Sequence, residues 1–371
     1  MVSIHTYLLA FASLAVNVSA AESLYMRVSG PTEVDGVENM QVVVTVTNTG
    51  NETLKILNDP RGPLSTRPTN TFSITDASGA KPAFTGIKLK YVPKTAVAVG
   101  AFTILAPGKS IQVEHAREIF SNHHLSDCHI NDTIFSLFVV GHAYNFSLSG
   151  AATYDIHANN AFLIVNESNT VSTISADSEA HTIKVAGRSN KLAAVHHAPI
   201  AKRASYNGCT SSQQTAVVSA ASAAQSYASS AYSYASSHSS STNRYTTWFG
   251  TFTTARHSTV LSHFQNLNSN TFSNFTFDCT CTDIDTYAYV YPDSFGYIYL
   301  CGAFWGTPNT GTDSKGGTLI HEASHFTSNG GTDDYAYGQS NAKSLASSNP
   351  NEAIFNADSH EYYAENNPAL A

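Results

Sequence analysis

Short apolar and β-branched runs recur across residues 24–175. Met40–Thr47 is β-branched and partly alternating, and Asn48–Asn51, which follows it, consists of turn-forming residues. Phe135–Gly141 and Ala161–Val165 are two further candidate strands. Repeated short strands separated by Gly, Asn and Pro turns are typical of a β-sandwich. We therefore predict an all-β, sandwich-like region, and we find no catalytic constellation in it.

The second half of the chain has apolar residues at helical spacing. Thr210–Gln213 is a capping box, and alanines and tyrosines then recur mostly every three or four residues across Ala216–Tyr234. Alanine is the best helix former, so we predict a helix here rather than a disordered low-complexity segment. Further on, Tyr287–Tyr291 and Tyr297–Leu300 are strand-like and predict a hairpin.

Both ends of the first half carry processing signals. The apolar run Leu8–Val16, followed by small residues up to Ala20, is typical of a secretory signal peptide. Residues 185–203 are small and basic, and they end in the dibasic pair Lys202–Arg203, where a secretory-pathway convertase would cut. We therefore predict a signal peptide over 1–20, a propeptide over 21–203 and a second domain over 204–371. No other apolar run is long enough to span a bilayer.

Charge is distributed unevenly between the two halves. The whole chain has a formal net charge of −8. Residues 204–371 carry 4 Lys+Arg and 12 Asp+Glu, whereas the residues before them carry 15 of each kind. An acidic C-terminal half argues against binding to nucleic acid and suits a cationic ligand.

Four of the five cysteines lie in the second half, at Cys209, Cys279, Cys281 and Cys301. In an exported protein an even set of this kind predicts two disulfides. Cys279 and Cys281 cannot easily bridge each other, which leaves two connectivities open. The alternative, a cysteine-based zinc site, lacks a CxxC pair. Cys128 is left over, either as a buried structural cysteine or as a thiolate that holds zinc in a latent form.

A metal-binding pattern stands at His321-Glu-Ala-Ser-His325. On a helix, residues i and i+4 project from one face, so both imidazoles can bind one ion. Glu322 follows the first histidine and can take the proton of a water molecule at the metal. The alternative is two surface histidines on an ordinary helix, since a chance match in a chain of this length is expected on the order of one time in a hundred.

A third ligand is required, because a catalytic zinc takes three protein ligands and keeps one position open. The glycine turn Asn329–Thr332 predicts the end of the helix and can bring the chain back beside the metal. Asp333 and Asp334 follow this turn. On physical grounds, either carboxylate can serve as the third metal ligand.

The HExxH pattern followed by Gly331–Gly338 resembles the GTxDxxYG motif of the aspzincins, the deuterolysin family of fungal metalloendopeptidases. This resemblance implies that Asp334, rather than Asp333, is the third ligand. It also implies that Tyr337 stabilises the oxyanion of the tetrahedral intermediate.

The resemblance is closer still to the peptidyl-Lys metalloendopeptidases, and it covers nearly all of 204–371. It implies an α+β, mostly helical zincin-like domain with one Zn²⁺ per chain and with disulfides Cys209–Cys279 and Cys281–Cys301. The blocks that carry it include Arg244–Gly250, Phe277–Cys281, Leu300–Trp305 and Asn356–Tyr362.

Two carboxylates near the C-terminus are candidates for substrate binding. Asn349-Pro350 predicts the start of a helix that continues to about Ala364. Asp358 and Glu361 are three residues apart, on one side of this helix. The plain interpretation is two surface acids. The resemblance instead implies an acidic S1′ pocket for lysine, whose long stem can pack on apolar walls.

The sequence thus predicts a multidomain protein: an all-β, sandwich-like prodomain followed by a mostly helical, zincin-like metalloprotease domain. We expect a secreted zinc endopeptidase that cuts X–Lys bonds and is released from a zymogen by cleavage after Arg203. Its expected partners are polypeptides with lysine at P1′ and its own propeptide as inhibitor, with no nucleic acid or membrane, and we expect a monomer. The alternatives are a broad-specificity deuterolysin-type endopeptidase and a non-enzymatic secreted zinc-binding protein, against which the intact Glu322 argues.

Overall fold

The computed structural model describes residues 22–115, 143–146, 151–186 and 204–371. The expected signal peptide, the candidate strand Phe135–Gly141, Cys128 and the Lys202–Arg203 pair lie outside these residues. Among the helices in the described ranges, none is long and apolar enough to cross a membrane.

Strands dominate the N-terminal region, by which we mean the described residues up to 186. Its elements are β1 (Leu24–Ser29), β2 (Glu33–Asp35), a 3₁₀ turn (Val37–Asn39), β3 (Val42–Asn48), β4 (Leu54–Leu57), β5 (Phe72–Asp76), β6 (Ala83–Phe84), β7 (Lys88–Tyr91), α1 (Pro93–Val99), β8 (Phe102–Leu105), β9 (Ser110–His115), β10 (Tyr144–Asn145), β11 (Thr153–Ala158), β12 (Ala161–Val165), β13 (Val171–Ser175), β14 (Asp177–Glu179) and β15 (His181–Ala186).

Two four-stranded sheets of this region, ordered β14-β1-β3-β9 and β2-β15-β11-β5, contribute side chains to one core. The alternation of β3 explains this packing, because Val42, Val44 and Val46 are fully buried while the residues between them are partly exposed. A third sheet, β13-β12-β4-β8, adds further side chains to the same core. The predicted strands at Met40–Thr47 and Ala161–Val165 are confirmed as β3 and β12.

The N-terminal region is β-rich rather than strictly all-β, because α1 interrupts it. This helix has Pro93 at its first position, where a missing N–H costs nothing. It ends at Gly100, which adopts the left-handed conformation with φ of 73°. The sequence pattern did not predict this helix, because a segment of seven residues that begins with Pro93 and is followed by Gly100 resembles a turn.

The C-terminal region, residues 204–371, is mostly helical. Its elements are β16 (Ser205–Asn207), α2 (Ser211–Ser237), α3 (Asn243–Phe249), α4 (Thr254–Ser269), a 3₁₀ turn (Phe272–Asn274), β17 (Thr276–Asp278), β18 (Thr286–Val290), β19 (Tyr297–Leu300), α5 (Gly302–Trp305), α6 (Lys315–His325), α7 (Gly338–Ser348), α8 (Pro350–Ala353) and α9 (Ala357–Glu365).

Helix α2 is the predicted alanine-rich helix, and its capping box is present. Gln213 N donates to the Thr210 hydroxyl at 3.3 Å, and Thr210 N donates to Gln213 Oε1 at 2.9 Å. The small side chains let α6 approach closely, since a Cβ on Gly316 would lie 2.7 Å from Ala223 Cβ. The buried face of α2 includes Ala220, Ala224, Ala228, Ala231 and Ala235.

A five-stranded sheet joins the two regions, in the order β16-β17-β19-β18-β7. The predicted hairpin is confirmed, because β18 and β19 pair antiparallel with Ala288 opposite Leu300. The fifth strand, β7, comes from the N-terminal region and pairs antiparallel with β18, placing Lys90 opposite Ala288 and Leu89 opposite Tyr289. Nothing in the local sequence pattern predicted this pairing.

The helix expected from Asn349 to about Ala364 is wrong as one continuous element. The Asn349 side chain does cap its start, accepting from Glu352 N, and Pro350 occupies the first position. However, the helix breaks into α8 and α9, because Asp333 N donates to Phe355 O at 2.7 Å and Ala357 N donates to Asp333 O at 3.0 Å. A contact with a distant loop thus overrides the local helix propensity.

Candidate active site

Helix α6 places two histidines on one buried face. Ser314 caps the helix by accepting from Gly317 N at 3.0 Å. His321 and His325 are both fully buried, and Asp334 Oδ1 lies 3.1 Å from His321 Nε2 and 3.4 Å from His325 Nε2. The structure therefore brings together the three side chains that were expected to hold the metal, with their ligand atoms within 4.8 Å of one another.

The other ring nitrogen of each histidine faces an oxygen. His325 Nδ1 donates to Thr332 O at 2.9 Å, and His321 Nδ1 lies 2.8 Å from Asp358 Oδ1. The hydrogen bond of His325 is the kind of contact that fixes the orientation of a metal-binding imidazole, and the Asp358 carboxylate occupies the corresponding position beside His321.

These residues fit a zinc ion. His321 Nε2, His325 Nε2 and Asp334 Oδ1 are buried and have no hydrogen-bond partner within the described part of the chain. Buried polar atoms are normally paired, so three unpaired buried atoms that converge on one point indicate a cation-binding site. Two imidazoles and one carboxylate form a donor set typical of a catalytic zinc with an open position.

The loop after α6 selects Asp334 over Asp333. The Ser324 and Thr332 hydroxyls lie 2.6 Å apart, and Thr332 N donates to Ser324 O, so the loop folds back onto the helix. Gly331 has a φ of 55°, which a residue with a side chain rarely adopts. Asp333 then turns away from the histidines and forms an ion pair of 2.5 Å with Lys88 Nζ.

Glu322 lies one residue after the first histidine and is fully buried. Both of its carboxylate oxygens lack a hydrogen-bond partner in the described residues. Burial raises the pKa of Glu322 well above its usual range, although His321 opposes this shift. A raised pKa suits a carboxylate that accepts a proton near neutral pH and later returns it.

Asp358 and Glu361 lie on α9, where their side chains are 1% and 0% exposed. Their approach to α6 requires Gly317, since a Cβ there would overlap Glu365 Oε1 and lie 3.0 Å from Glu361 Oε1. Gly338 N donates to Asp358 Oδ2 at 2.6 Å. These acids are therefore not surface residues but walls of a closed acidic pocket beside the candidate metal site.

A lysine from the N-terminal region fills this pocket. Lys90 Nζ lies 2.7 Å from Glu361 Oε2, 3.3 Å from Asp358 Oδ1 and 3.2 Å from Asp313 Oδ1. Its ammonium also lies 5.2 Å from the centre of the Tyr287 ring. Burial alone would lower the pKa of Lys90, but Asp358 and Glu361 raise it well above its usual range. The ammonium is therefore charged in its pocket.

The pKa of Asp358 responds to the same contacts. Burial alone would raise this pKa, but Lys90 and His321 beside the carboxylate lower it to about 2. Asp358 therefore faces both the candidate metal ligand and the bound ammonium, and it links the two parts of the site.

Tyr337 is buried and contacts the backbone of β7. Its hydroxyl donates to Leu89 O at 2.7 Å, and the guanidinium of Arg61 lies 4.2 Å from the centre of its ring. Burial, reinforced by Asp334, raises the pKa of Tyr337 well above its usual range. The phenol therefore remains a hydrogen-bond donor, as an oxyanion stabiliser must.

Sequence reasoning missed two acids of this site. Glu365 is four residues after Glu361, so the helical spacing that paired Asp358 with Glu361 could have found it. It accepts from Ser314 N at 2.9 Å, and burial raises its pKa to about 8. Asp313 gives no periodic signal because it precedes the helix cap, where its φ of 51° is unusual for a non-glycine residue.

Two disulfides brace the C-terminal region. Cys209 pairs with Cys279, and Cys281 pairs with Cys301. These are the pairs that the family resemblance implies, and they select one of the two connectivities that spacing alone left open.

Comparisons with known proteins extend over both regions. A family model described as "Lysine-specific metallo-endopeptidase" matches residues 234–365. The chain is 53% identical over 367 residues to the peptidyl-Lys metalloendopeptidase of Grifola frondosa, covering 98% of each chain. It is also 53% identical over 360 residues to that of Armillaria mellea, covering 96% of this chain and 95% of the relative. A solved zinc peptidase from Grifola frondosa is 61% identical and covers 44% of this chain and 100% of its own, with a TM-score of 0.44.

Proposed function

Because the chain belongs to the aspzincin family of lysine-specific metalloendopeptidases and is a zinc metalloendopeptidase, we propose that it hydrolyses peptide bonds on the amino side of lysine. The observation that carries this specificity is the ammonium of Lys90 between Asp358 and Glu361. Asp358 also lies 2.8 Å from His321, so a lysine bound here holds its own peptide bond close to the metal ligands.

We assign one zinc ion per chain to His321, His325 and Asp334. The zinc, when bound, supplies Lewis-acid chemistry that polarises the scissile carbonyl and lowers the pKa of water. Glu322 takes the proton of the attacking water and passes it to the amine of the departing lysine. The Tyr337 hydroxyl donates to the carbonyl oxygen as negative charge develops there.

Lysine fits the pocket better than arginine for a geometric reason. Three carboxylate oxygens, from Asp313, Asp358 and Glu361, approach one nitrogen atom within 3.3 Å. This arrangement suits a compact ammonium, whereas the planar fork of arginine is wider and distributes its charge over three nitrogens. Apolar side chains fit least well, because they leave buried carboxylates unpaired.

We further propose that residues 21–203 form a propeptide that inhibits the enzyme and is removed by cleavage after Arg203. The contacts of Lys90 and Leu89 with the candidate active site support inhibition by this segment. The N-terminal apolar run and the two disulfides support export to an oxidising compartment. The mature enzyme is then residues 204–371, acting outside the cell as a monomer.

A peptide trio tests the specificity. The mature protein is assayed on three peptides that differ only at P1′, with lysine, arginine or norleucine. We expect kcat/KM to be about 100-fold or more higher for lysine than for norleucine, with arginine in between. Activity should vanish with a chelator and return with zinc. Equal rates for the three peptides would instead favour the broad-specificity deuterolysin alternative.

A further inference from the structure

We propose that the N-terminal region inhibits the protease as a substrate mimic, with Leu89–Lys90 in the position of the scissile X–Lys pair. This inference rests on the lysine specificity proposed above and adds the residues that produce latency. Lys90 takes the place of the substrate lysine, and the carbonyl of Leu89 takes the place of the carbonyl that is attacked.

The backbone of β7 binds as an extended peptide would. It pairs antiparallel with β18, at the edge of the sheet of the C-terminal region, with Lys88 opposite Val290 and Lys90 opposite Ala288. Addition of a strand to a sheet edge is a common mode of peptide recognition, because main-chain hydrogen bonds hold any sequence while pockets select side chains. The edge that β7 covers is therefore the binding surface that a substrate strand would need.

The register of β7 places one particular peptide bond beside Tyr337 and Asp334. Leu89 O accepts from the Tyr337 hydroxyl at 2.7 Å, and Leu89 N donates to Asp334 Oδ2 at 3.2 Å. The carbonyl of Leu89 belongs to the bond that precedes Lys90. The position of Lys90 in the acidic pocket and the position of Leu89 O at the Tyr337 hydroxyl therefore both identify the Leu89–Lys90 bond as the counterpart of the scissile bond.

The charges explain why a lysine is needed there. Within residues 204–371, the four Lys and Arg residues form no ion pair with any described carboxylate. Two buried carboxylates without a cation are strongly unfavourable, so the pocket binds one from elsewhere. Lys90 is the cation that the described part of the N-terminal region supplies.

Other basic residues anchor the same region without entering the pocket. Lys88 pairs with Asp333, and Arg67 pairs with Asp283. Arg61 donates to Asp334 O at 2.6 Å. These contacts lie outside the acidic pocket, whereas Lys90 is the basic residue in the described part of the N-terminal region that reaches Asp358 and Glu361. A change at Lys88 therefore provides a matched control for a change at Lys90.

The first test uses the unmodified precursor and an amine-acetylating reagent, with mass spectrometry of each lysine. Lys90 is 2% exposed, whereas Lys94 on the neighbouring helix is exposed. We expect Lys90 to react about 20-fold or more slowly than Lys94 in the folded precursor, and equally fast after denaturation. Equal reactivity in the folded precursor would overturn the proposal, and this result does not depend on any variant folding.

The second test measures latency in intact precursors that carry Lys202→Gln and Arg203→Gln to block processing. Lys90→Met keeps an unbranched stem and removes the charge, and Lys88→Met makes the same change two residues earlier. We expect Lys90→Met to raise the kcat/KM of the precursor for an X–Lys peptide by about 100-fold. Lys88→Met should raise it by less than about fivefold, because Asp333, the partner of Lys88, is 27% exposed and water can solvate the carboxylate that is left unpaired.

A Lys90→Met precursor as latent as the parent, or a Lys88→Met precursor equally released, would overturn the substrate-mimic proposal. The mature enzyme is assayed in parallel on the lysine and norleucine peptides. A mature enzyme without lysine preference defeats the proposed function itself. If the mature enzyme prefers lysine but the Lys90→Met precursor is as latent as the parent, only the inference about Lys90 is contradicted.

Discussion

The two regions of the molecule differ most in how their charges are balanced. Residues before 204 carry 15 basic and 15 acidic groups, whereas residues 204–371 carry 4 and 12. In the described structure, the lysine and arginine partners of the C-terminal acids all come from the N-terminal region, through Arg67, Lys88 and Lys90. The C-terminal region therefore contains a site built for a cation that it does not itself provide.

The largest effect should come from removing the base while leaving every charge contact between the regions in place. We expect Glu322→Gln to lower kcat of the mature enzyme by about 10³-fold or more, because the proton acceptor is lost. Zinc content should not change, because no ligand is altered. Steady-state assays and metal analysis measure both quantities.

Glu352→Gln is the matched control for this change, since Glu352 lies on α8 outside the active site. It should retain the activity of the parent. If the kcat of Glu322→Gln were within tenfold of the parent value, Glu322 would not be the general base.

The second effect concerns the two neighbouring aspartates, one of which faces the metal site and the other the N-terminal region. We expect Asp334→Ala to lose both zinc and activity, because one of three ligands is gone. Asp333→Ala should retain zinc, since its side chain points away from the two histidines, towards the position that Lys88 occupies in the precursor. Zinc that remains after dialysis, measured for both variants, decides between them, and the reverse pattern would show that the ligand assignment is wrong.

The third effect concerns the acids that contact Lys90. Asp358→Asn or Glu361→Gln should lower kcat/KM for X–Lys peptides by about 10–1000-fold, the cost of one charge-assisted contact. Asp313→Asn should cost less, about 3–10-fold, because its side chain is 40% exposed and solvent screens its charge. Residual cleavage at apolar sites should suffer less in all three variants. Equal losses for lysine and apolar substrates would mean that these acids support the fold or the metal rather than specificity.

The smallest effect concerns stability and two buried histidines of the C-terminal region. His263 Nδ1 lies 3.0 Å from His360 Nε2, and burial lowers the pKa of His263 to about 4 and that of His360 to about 3. Both folded values lie below the unfolded value of about 6.5, so the unfolded chain binds more protons in mild acid. The contribution of this pair to the free energy of unfolding is thus fully present above pH 6.5 and decreases as the pH drops towards 4.

For His263 alone, the free energy of unfolding decreases by roughly 3 kcal/mol between about pH 6.5 and about pH 4. Urea unfolding at pH 7.5 and pH 5.0 measures it, in the parent and in His263→Gln. The decrease between the two pH values should be smaller in the variant. An equal decrease in both proteins would assign the acid sensitivity to other groups.

The sequence predicted those features that local signals determine. The capping box at Thr210, the helix around His321 and the hairpin after Thr286 each depend on residues within a few positions of one another. The features it missed depend on distant contacts. Lys90 and Glu361 are 271 residues apart, and Leu89 and Tyr337 are 248 apart.

The same distinction explains the broken helix after Pro350. Propensity and the Asn349 cap favour a continuous helix, but Asp333 inserts its backbone between the two halves. The candidate zinc ligands were found because two of them share one helical face, whereas Asp313 lies in a loop before a helix cap and shows no pattern. Functional residues on helices and strands can therefore be predicted from the periodicity of the sequence. Functional residues on loops are predicted mainly through resemblance to a known family.

A map of cleavage sites tests most directly whether the buried acids of the C-terminal region select a lysine. The mature enzyme digests a denatured protein, with and without a chelator, and mass spectrometry identifies every new amino terminus. We predict that lysine begins the great majority of the new termini and that the chelator abolishes them. New termini with no excess of lysine over its abundance in the substrate would contradict it.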